Sequence, residues 1–263
     1  MLEIHHFSYG PVTPAVAYLM SFTGSLLGLQ CAARARGGVG SRIGWLCGAA
    51  VAIGGTGIWV MHFIAMLGFS IGNATIRYDV PLTLLSALTA IGVVGVGLFV
   101  VGVIGAGEPR MVTLVPGGAL TGAGVAAMHY TGMAAMRTDA RLTYNPVAVA
   151  MSVLVAVVAS TVALWFTLRV KRLATTVGAA LIMAVAVCGM HFTGMAAIHA
   201  DTVPHATAPS GAGASDLLAP LIALVSLTTT VVLLHVVTTD DSEYQPASRP
   251  RPESHARHAA EKQ

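Results

Sequence analysis

Seven stretches of this chain are each long and apolar enough to cross a lipid bilayer, and that feature leaves few folds open. About 20 residues at 1.5 Å per residue cover the ~30 Å of hydrocarbon. Such stretches run over residues 12–32, 43–69, 80–104, 111–136, 146–168, 173–198 and 217–238. Only 10% of the 263 residues are charged, against roughly 25% in an average soluble domain, so water is a poor solvent for most of the chain. In lipid every backbone polar group has to be satisfied inside its own segment. The expected fold is therefore all-α, a polytopic transmembrane bundle of seven helices over residues 1–238. The first stretch is expected to be a retained helix, because residues 1–10 carry no Lys or Arg and so lack the positive region of a signal peptide. Residues 239–263 are polar and rich in Pro, Ser and His, and read as a disordered cytoplasmic tail.

Short basic loops stay on the cytoplasmic side of a membrane. Arg34, Arg36, Arg42, Arg110, Arg169, Lys171, Arg172, Arg249, Arg251, Arg257 and Lys262 fall on one side, and Arg77, Arg137 and Arg141 on the other. Eleven against three places the N-terminus outside and the C-terminus in the cytoplasm. Cys31, Cys47 and Cys188 lie within apolar stretches and are too few for a secreted disulfide framework. Nothing resembles a basic nucleic-acid patch, a phosphate loop or a soluble catalytic domain.

Aligned with itself, the chain shows one segment three times. Gly-Thr-Gly-Ile-Trp-Val-Met-His-Phe-Ile-Ala-Met at 55–66 returns as Gly-Ala-Gly-Val-Ala-Ala-Met-His-Tyr-Thr-Gly-Met at 122–133 and Ala-Val-Ala-Val-Cys-Gly-Met-His-Phe-Thr-Gly-Met at 184–195. The copies are 67 and then 62 residues apart, room for two membrane crossings, so the repeated unit is a helix pair and all three copies run outward. His62, His129 and His191 each fall seven residues before the outer end of their stretch, roughly 10 Å below the interface at the helical rise. Gly24/Gly28, Gly44/Gly48 and Gly118/Gly122 have the spacing that lets helix backbones approach closely in lipid.

Histidine inside a membrane is costly and is retained chiefly where it is paired or functional. Met66, Met133 and Met195 follow their histidines by four residues and share a helical face with them. Met61, Met128 and Met190 sit to one side. Imidazole nitrogen with thioether sulfur is a copper ligand set, the thioether favouring Cu(I). The motif helices carry no carboxylate, which makes zinc a weaker candidate. Cys188, one turn before His191, could add a thiolate, and the Tyr130 hydroxyl could reach a ligand or a histidine. The candidate metal ligands are Met61, His62, Met66, Met128, His129, Tyr130, Met133, Met190, His191 and Met195. His5, His6, His199, His205 and His235 read as ordinary exposed or packed histidines.

Met-His-Tyr-Thr at 128–131, with Met-His-Phe-Thr at 190–193 and Met-His-Phe-Ile at 61–64, resembles the MHYT domain, a bacterial integral membrane module with this motif near the outer face of three helices. The resemblance implies a multi-pass protein of the bacterial plasma membrane. It also implies copper bound through the motif residues, sensing of a diatomic gas such as oxygen, CO or NO, and a signal passed to a separate cytoplasmic partner, since no output or catalytic domain is visible. Two other functions compete: a copper-handling transporter, for which ligands should recur at several depths, and a haem protein with two histidines as axial ligands.

Overall fold

The computed structural model describes residues 2–38, 40–104, 111–203 and 207–240. Arg110, His205 and the tail from 241, with Arg249, Arg251, Arg257 and Lys262, lie outside the described residues. The seven expected helices are present as α1 Val12–Gly37, α2 Arg42–Leu67, α3 Val80–Ile104, α4 Met111–Ala135, α5 Pro146–Arg169, α6 Leu173–Met195 and α7 Ala214–Asp240.

The helix ends differ from the hydropathy boundaries for local reasons. α1 runs on past residue 32, because Arg34 and Arg36 complement the negative end of its dipole. It stops at Gly38, whose φ of 76° makes the left-handed cap. α6 ends earlier than hydropathy suggests because Ile198 starts a short strand, and α2 stops at Leu67, with a turn at Gly68 leading to a strand at Ser70–Ile71. α3 and α5 start on Asp79 and Asn145, whose side chains accept hydrogen bonds from Leu82 and from Val147 and Ala148, each with a proline in the first helical turn.

Six of the helices close a ring in chain order. Each of α1 to α5 packs on the next, and α6 returns to pack on α1. α7 stands outside the ring against α2, where Thr229 and Thr56 share a buried hydrogen bond. This extra cover makes α2 the most buried crossing. Close packing uses two of the three anticipated glycine pairs: a Cβ on Gly24 or Gly28 would run into α2, and one on Gly118 or Gly122 into α5. Gly44 and Gly48 have only ordinary contact distances around them and mark no tight crossing.

At one end of the ring lie six short strands: β1 Ile4–His5, β2 Ser70–Ile71, β3 Ile76–Tyr78, β4 Met136–Thr138, β5 Ala140–Tyr144 and β6 Ile198–Thr202. They pair antiparallel as β1 with β2, β3 with β4 and β5 with β6. The structural repeat is therefore strand, helix, motif helix, strand, over residues 4–71, 76–138 and 140–202. One backbone bond recurs in each unit, from Ser8 N to Gly68 O at 2.9 Å, Asp79 N to Ala135 O at 2.8 Å and Asn145 N to Ala197 O at 2.8 Å. Ion pairing supports the cap where Arg137 lies 2.9 Å from Asp79. At the opposite end, Arg34 donates to the Val236 carbonyl at 2.7 Å and Arg42 to that of Gly102.

Candidate metal centre

The motif helices α2, α4 and α6 alternate with α1, α3 and α5 around the ring, so one face of each looks toward the common axis. There His62, His129 and His191 meet, with exposures of 1%, 1% and 2%. His62 Nδ1 stands 3.0 Å from His191 Nδ1 and 3.2 Å from His129 Nδ1. The three ring centroids are 4.9, 5.0 and 5.2 Å apart, and the planes cross at 78°, 80° and 87°. Each imidazole thus meets the others edge-on, as three blades around an axis.

α2 reaches this point by an unusual path. Residues Val51–Val60, which include Gly54, Gly55 and Gly57, are wound as a π-helix that passes into regular α-helix at Met61. Such widened turns cluster at functional sites. Glycine also backs the rings. A Cβ on Gly132 would lie 2.6 Å from His62 Nε2, and one on Gly194 would collide with His129 Nε2. His62 and His129 therefore each sit against the glycine of the next unit's motif, and the equivalent residue on α2 is Ala65.

The aromatic residues after the histidines lock the units in the same rotation. Phe63 meets Tyr78 of the second unit at 6.0 Å, Tyr130 meets Tyr144 of the third at 6.2 Å, and Phe192 meets Phe7 of the first at 5.6 Å. Burial raises the pKa of the Tyr78 phenol, and burial together with Tyr130 raises that of Tyr144, so both stay neutral. His6, in the cap, packs on Phe69 at 5.6 Å, and its burial lowers its pKa.

The sequence candidates divide clearly. The three histidines converge. Among the described residues no carboxylate or thiol joins them, so Cys188 is not part of the group. Met61, Met66, Met128, Met133, Met190 and Met195 are all buried. Met190 packs with Ala126 of α4 and Ala156 of α5. Tyr130 points elsewhere: its hydroxyl lies 2.6 Å from the Ser152 hydroxyl on α5. His235 stacks on Trp45 at 4.9 Å, as a packed residue. Gly132 and Gly194 were missed, although their recurrence three residues after the histidine was a visible signal.

Protein atoms alone do not close the hydrogen bonding here. His62 Nδ1 offers one hydrogen or one lone pair, yet has two nitrogen neighbours at hydrogen-bond distance. The opposite nitrogens of His62 and His129 are buried without a partner, a cost of about 1–3 kcal/mol for each unsatisfied group. A cation on the axis would accept all three Nδ1 lone pairs. At metal–nitrogen lengths of about 2.0–2.1 Å, ligand nitrogens stand about 3.3–3.6 Å apart, so the observed spacing has to widen by only a few tenths of an ångström. The residues fit a metal ion.

The model of the MHYT family, described as a bacterial signalling protein N-terminal repeat, matches residues 55–114, 122–180 and 185–244. The chain belongs to the MHYT family. Its family repeats begin at the motif helices, half a unit out of phase with the strand-bounded structural units. The chain is 36% identical over 239 residues to the bifunctional diguanylate cyclase/cyclic di-GMP phosphodiesterase MucR of Pseudomonas aeruginosa, covering 89% of this chain and 34% of that protein. It is 36% identical over 199 residues to the cyclic di-GMP phosphodiesterase NbdA of the same organism, covering 73% and 24%. To the signaling protein YkoW of Bacillus subtilis it is 30% identical over 217 residues, covering 77% and 26%. The chain thus spans a quarter to a third of these relatives and matches them over the MHYT region. No solved structure is a significant match. MHYT membership and seven apolar crossings make this a multi-pass bacterial membrane protein.

Proposed function

We propose that the chain is a membrane sensor module that holds one copper(I) ion on His62, His129 and His191 and signals the arrival of a diatomic gas such as oxygen, CO or NO to a cytoplasmic partner. The observation that carries this reading is the convergence of three buried Nδ1 atoms, one from each repeat. Three neutral imidazoles with no nearby anion favour a monovalent ion, because the cost of burying charge rises steeply with the charge. Nitrogen and thioether donors favour soft copper, and Met66, Met133 and Met195 supply thioethers one turn from the histidines. An ion held by three nitrogens keeps a position for a further ligand.

Relatives named as cyclic di-GMP enzymes support a signalling role. The proposed orientation puts the strand cap outside, since Arg34, Arg36, Arg42, Arg169, Lys171 and Arg172 lie toward the opposite end. A transporter would need ligands further along the path, and the bundle beneath the histidines is apolar. Haem fits less well: at a metal–nitrogen length of about 2 Å, nitrogens on opposite sides of the ring plane would stand about 4 Å apart, and nitrogens 3.0 and 3.2 Å apart leave no room for that plane.

The test is the copper content of purified protein. Wild type is expected to carry one copper per chain, and the variant with His62, His129 and His191 all changed to alanine none. Equal copper in both would refute the site. A Soret band in wild type made with adequate haem would replace copper by haem.

A further inference from the structure

A cavity of about 50 Å3 lies inside the ring, lined by residues of α2 to α6. Three of its lining residues are Ile58, Val125 and Val187. Each precedes a site histidine by four residues, on the same helical face and about 6 Å deeper in the bundle. The cavity therefore lies beneath the three-histidine cluster and reaches its level at Met190. Thr121 and Met183, eight residues before their histidines, carry it one turn further.

The lining is almost entirely apolar. Its polar lining residues are Thr121, Ser160 and Thr167; the two threonines donate their hydroxyls to the Gly117 and Leu164 carbonyls of their own helices, which leaves one serine hydroxyl as the main polar group facing the space. One water needs about 10–15 Å3 and two to four polar partners; apolar cavities without such partners stay dry and take up apolar molecules. The room suits a molecule of two or three heavy atoms and excludes an aromatic ring.

A second hollow, of about 420 Å3, opens between α5 and α6. Leu154, Val158 and Ile182 line it with exposures of 54%, 55% and 55%, which makes it lipid-facing. Ala159, Met183 and Ala186 border both hollows. Two alanines and one flexible thioether are thus what separates the lipid from the space beneath the histidines.

We propose that this cavity is the docking site of a small apolar diatomic molecule, which reaches it sideways from the lipid through the neck at Ala159, Met183 and Ala186. The cavity depends only on packing; its link to sensing rests on the copper reading above. A membrane concentrates apolar gases, so a lateral route supplies the site from its richest reservoir. The strand cap and the aromatic interlocks lie over the polar side.

Xenon is the probe, followed by methyl NMR on metal-free protein, so the outcome does not depend on copper. Saturable shifts are expected at the methyls of Ile58, Val125 and Val187. They should disappear in Val125→Phe, which fills the space, and the exchange rate should fall about tenfold in Ala159→Leu, which narrows the neck. Weak, non-saturating shifts spread over all methyls of wild type would overturn the cavity as a site. Unchanged exchange in Ala159→Leu would overturn the lateral route. Should Val125→Phe fail to fold, wild-type saturation and Ala159→Leu still decide both points. Copper content measured in parallel on Ala159→Leu and wild type separates failure here from failure of the metal centre: saturable xenon with no copper leaves the cavity standing without the metal.

Discussion

Gly132→Ala puts the smallest possible side chain behind a site histidine. The added Cβ would lie 2.6 Å from His62 Nε2 and 3.1 Å from its Cδ2, where ordinary contact begins at 3.4 Å. The ring has to retreat by about 0.8 Å, against a tolerance of about 0.2 Å for metal–ligand distances. It cannot retreat freely, because Phe63 packs on it at 4.7 Å and the other two imidazoles at 4.9 and 5.0 Å. Overpacking of this kind costs about 1–3 kcal/mol of stability. Loss of one nitrogen from three should weaken copper binding by at least about tenfold, or ~1.4 kcal/mol. The assay is competition with a colorimetric Cu(I) chelator, with a thermal melt in the same detergent. A melt lowered by several degrees with weakened copper binding is expected. Unchanged affinity and an unchanged melt would show that the glycine backing does not position the ring, and would refute the reasoning.

Three further outcomes follow from the same geometry. Tyr130→Phe removes the bond to Ser152 and should cost about 1 kcal/mol of stability with copper content unchanged; loss of copper would put the phenol among the ligands. Leucine at Met66, Met133 and Met195 together should leave copper bound but reduce the preference for Cu(I) over Zn(II) in competition, and undiminished preference would exclude the thioethers. Asp79→Asn tests the cap. The Leu82 amide and the Arg137 guanidinium hold the Asp79 pKa below its ordinary value, so its contribution is present above the usual carboxylate range and lost as pH falls through the lowered pKa. The melting difference between wild type and Asp79→Asn should therefore persist at neutral pH and vanish in strong acid; a constant difference would assign the effect to something other than ionisation.

The helices were legible because lipid imposes one length and one polarity on every crossing. Their boundaries moved only where a cap or strand took over, as at Gly38 and at Ile198, which starts β6. The shared depth of the histidines was also legible, since it follows from counting residues. Their convergence was not. It depends on the closure of α6 onto α1, residues far apart in the chain that carry no mutual signal in one sequence. Strands of two to five residues are too short for a periodicity to register. The π-wound turn before Met61 left only a cluster of glycines as its trace. Tyr130 was counted with the ligands because its hydroxyl could reach a ligand or a histidine, but neighbours in a helix point about 100° apart, and its hydroxyl lies by Ser152.

Two ligands of opposite solvation meet on one axis in this reading. A copper ion is at home in water and in polar donors, and the strand-capped end, where Arg137 pairs with Asp79, is the polar end nearer the histidines. A diatomic gas is at home in lipid, and the hollow below the histidines borders lipid through Ala159, Met183 and Ala186. The three histidines lie where the two domains meet, so each ligand can arrive without crossing the other's medium. The same placement explains why the motif couples a histidine to an apolar residue four positions earlier: the first forms the floor of the ion site, and the second the roof of the cavity. Exchanging Val187 for Thr, close in shape but polar, should therefore reduce xenon occupancy while leaving copper stoichiometry intact. A variant that lost copper and kept xenon would invert the assignment of these two layers.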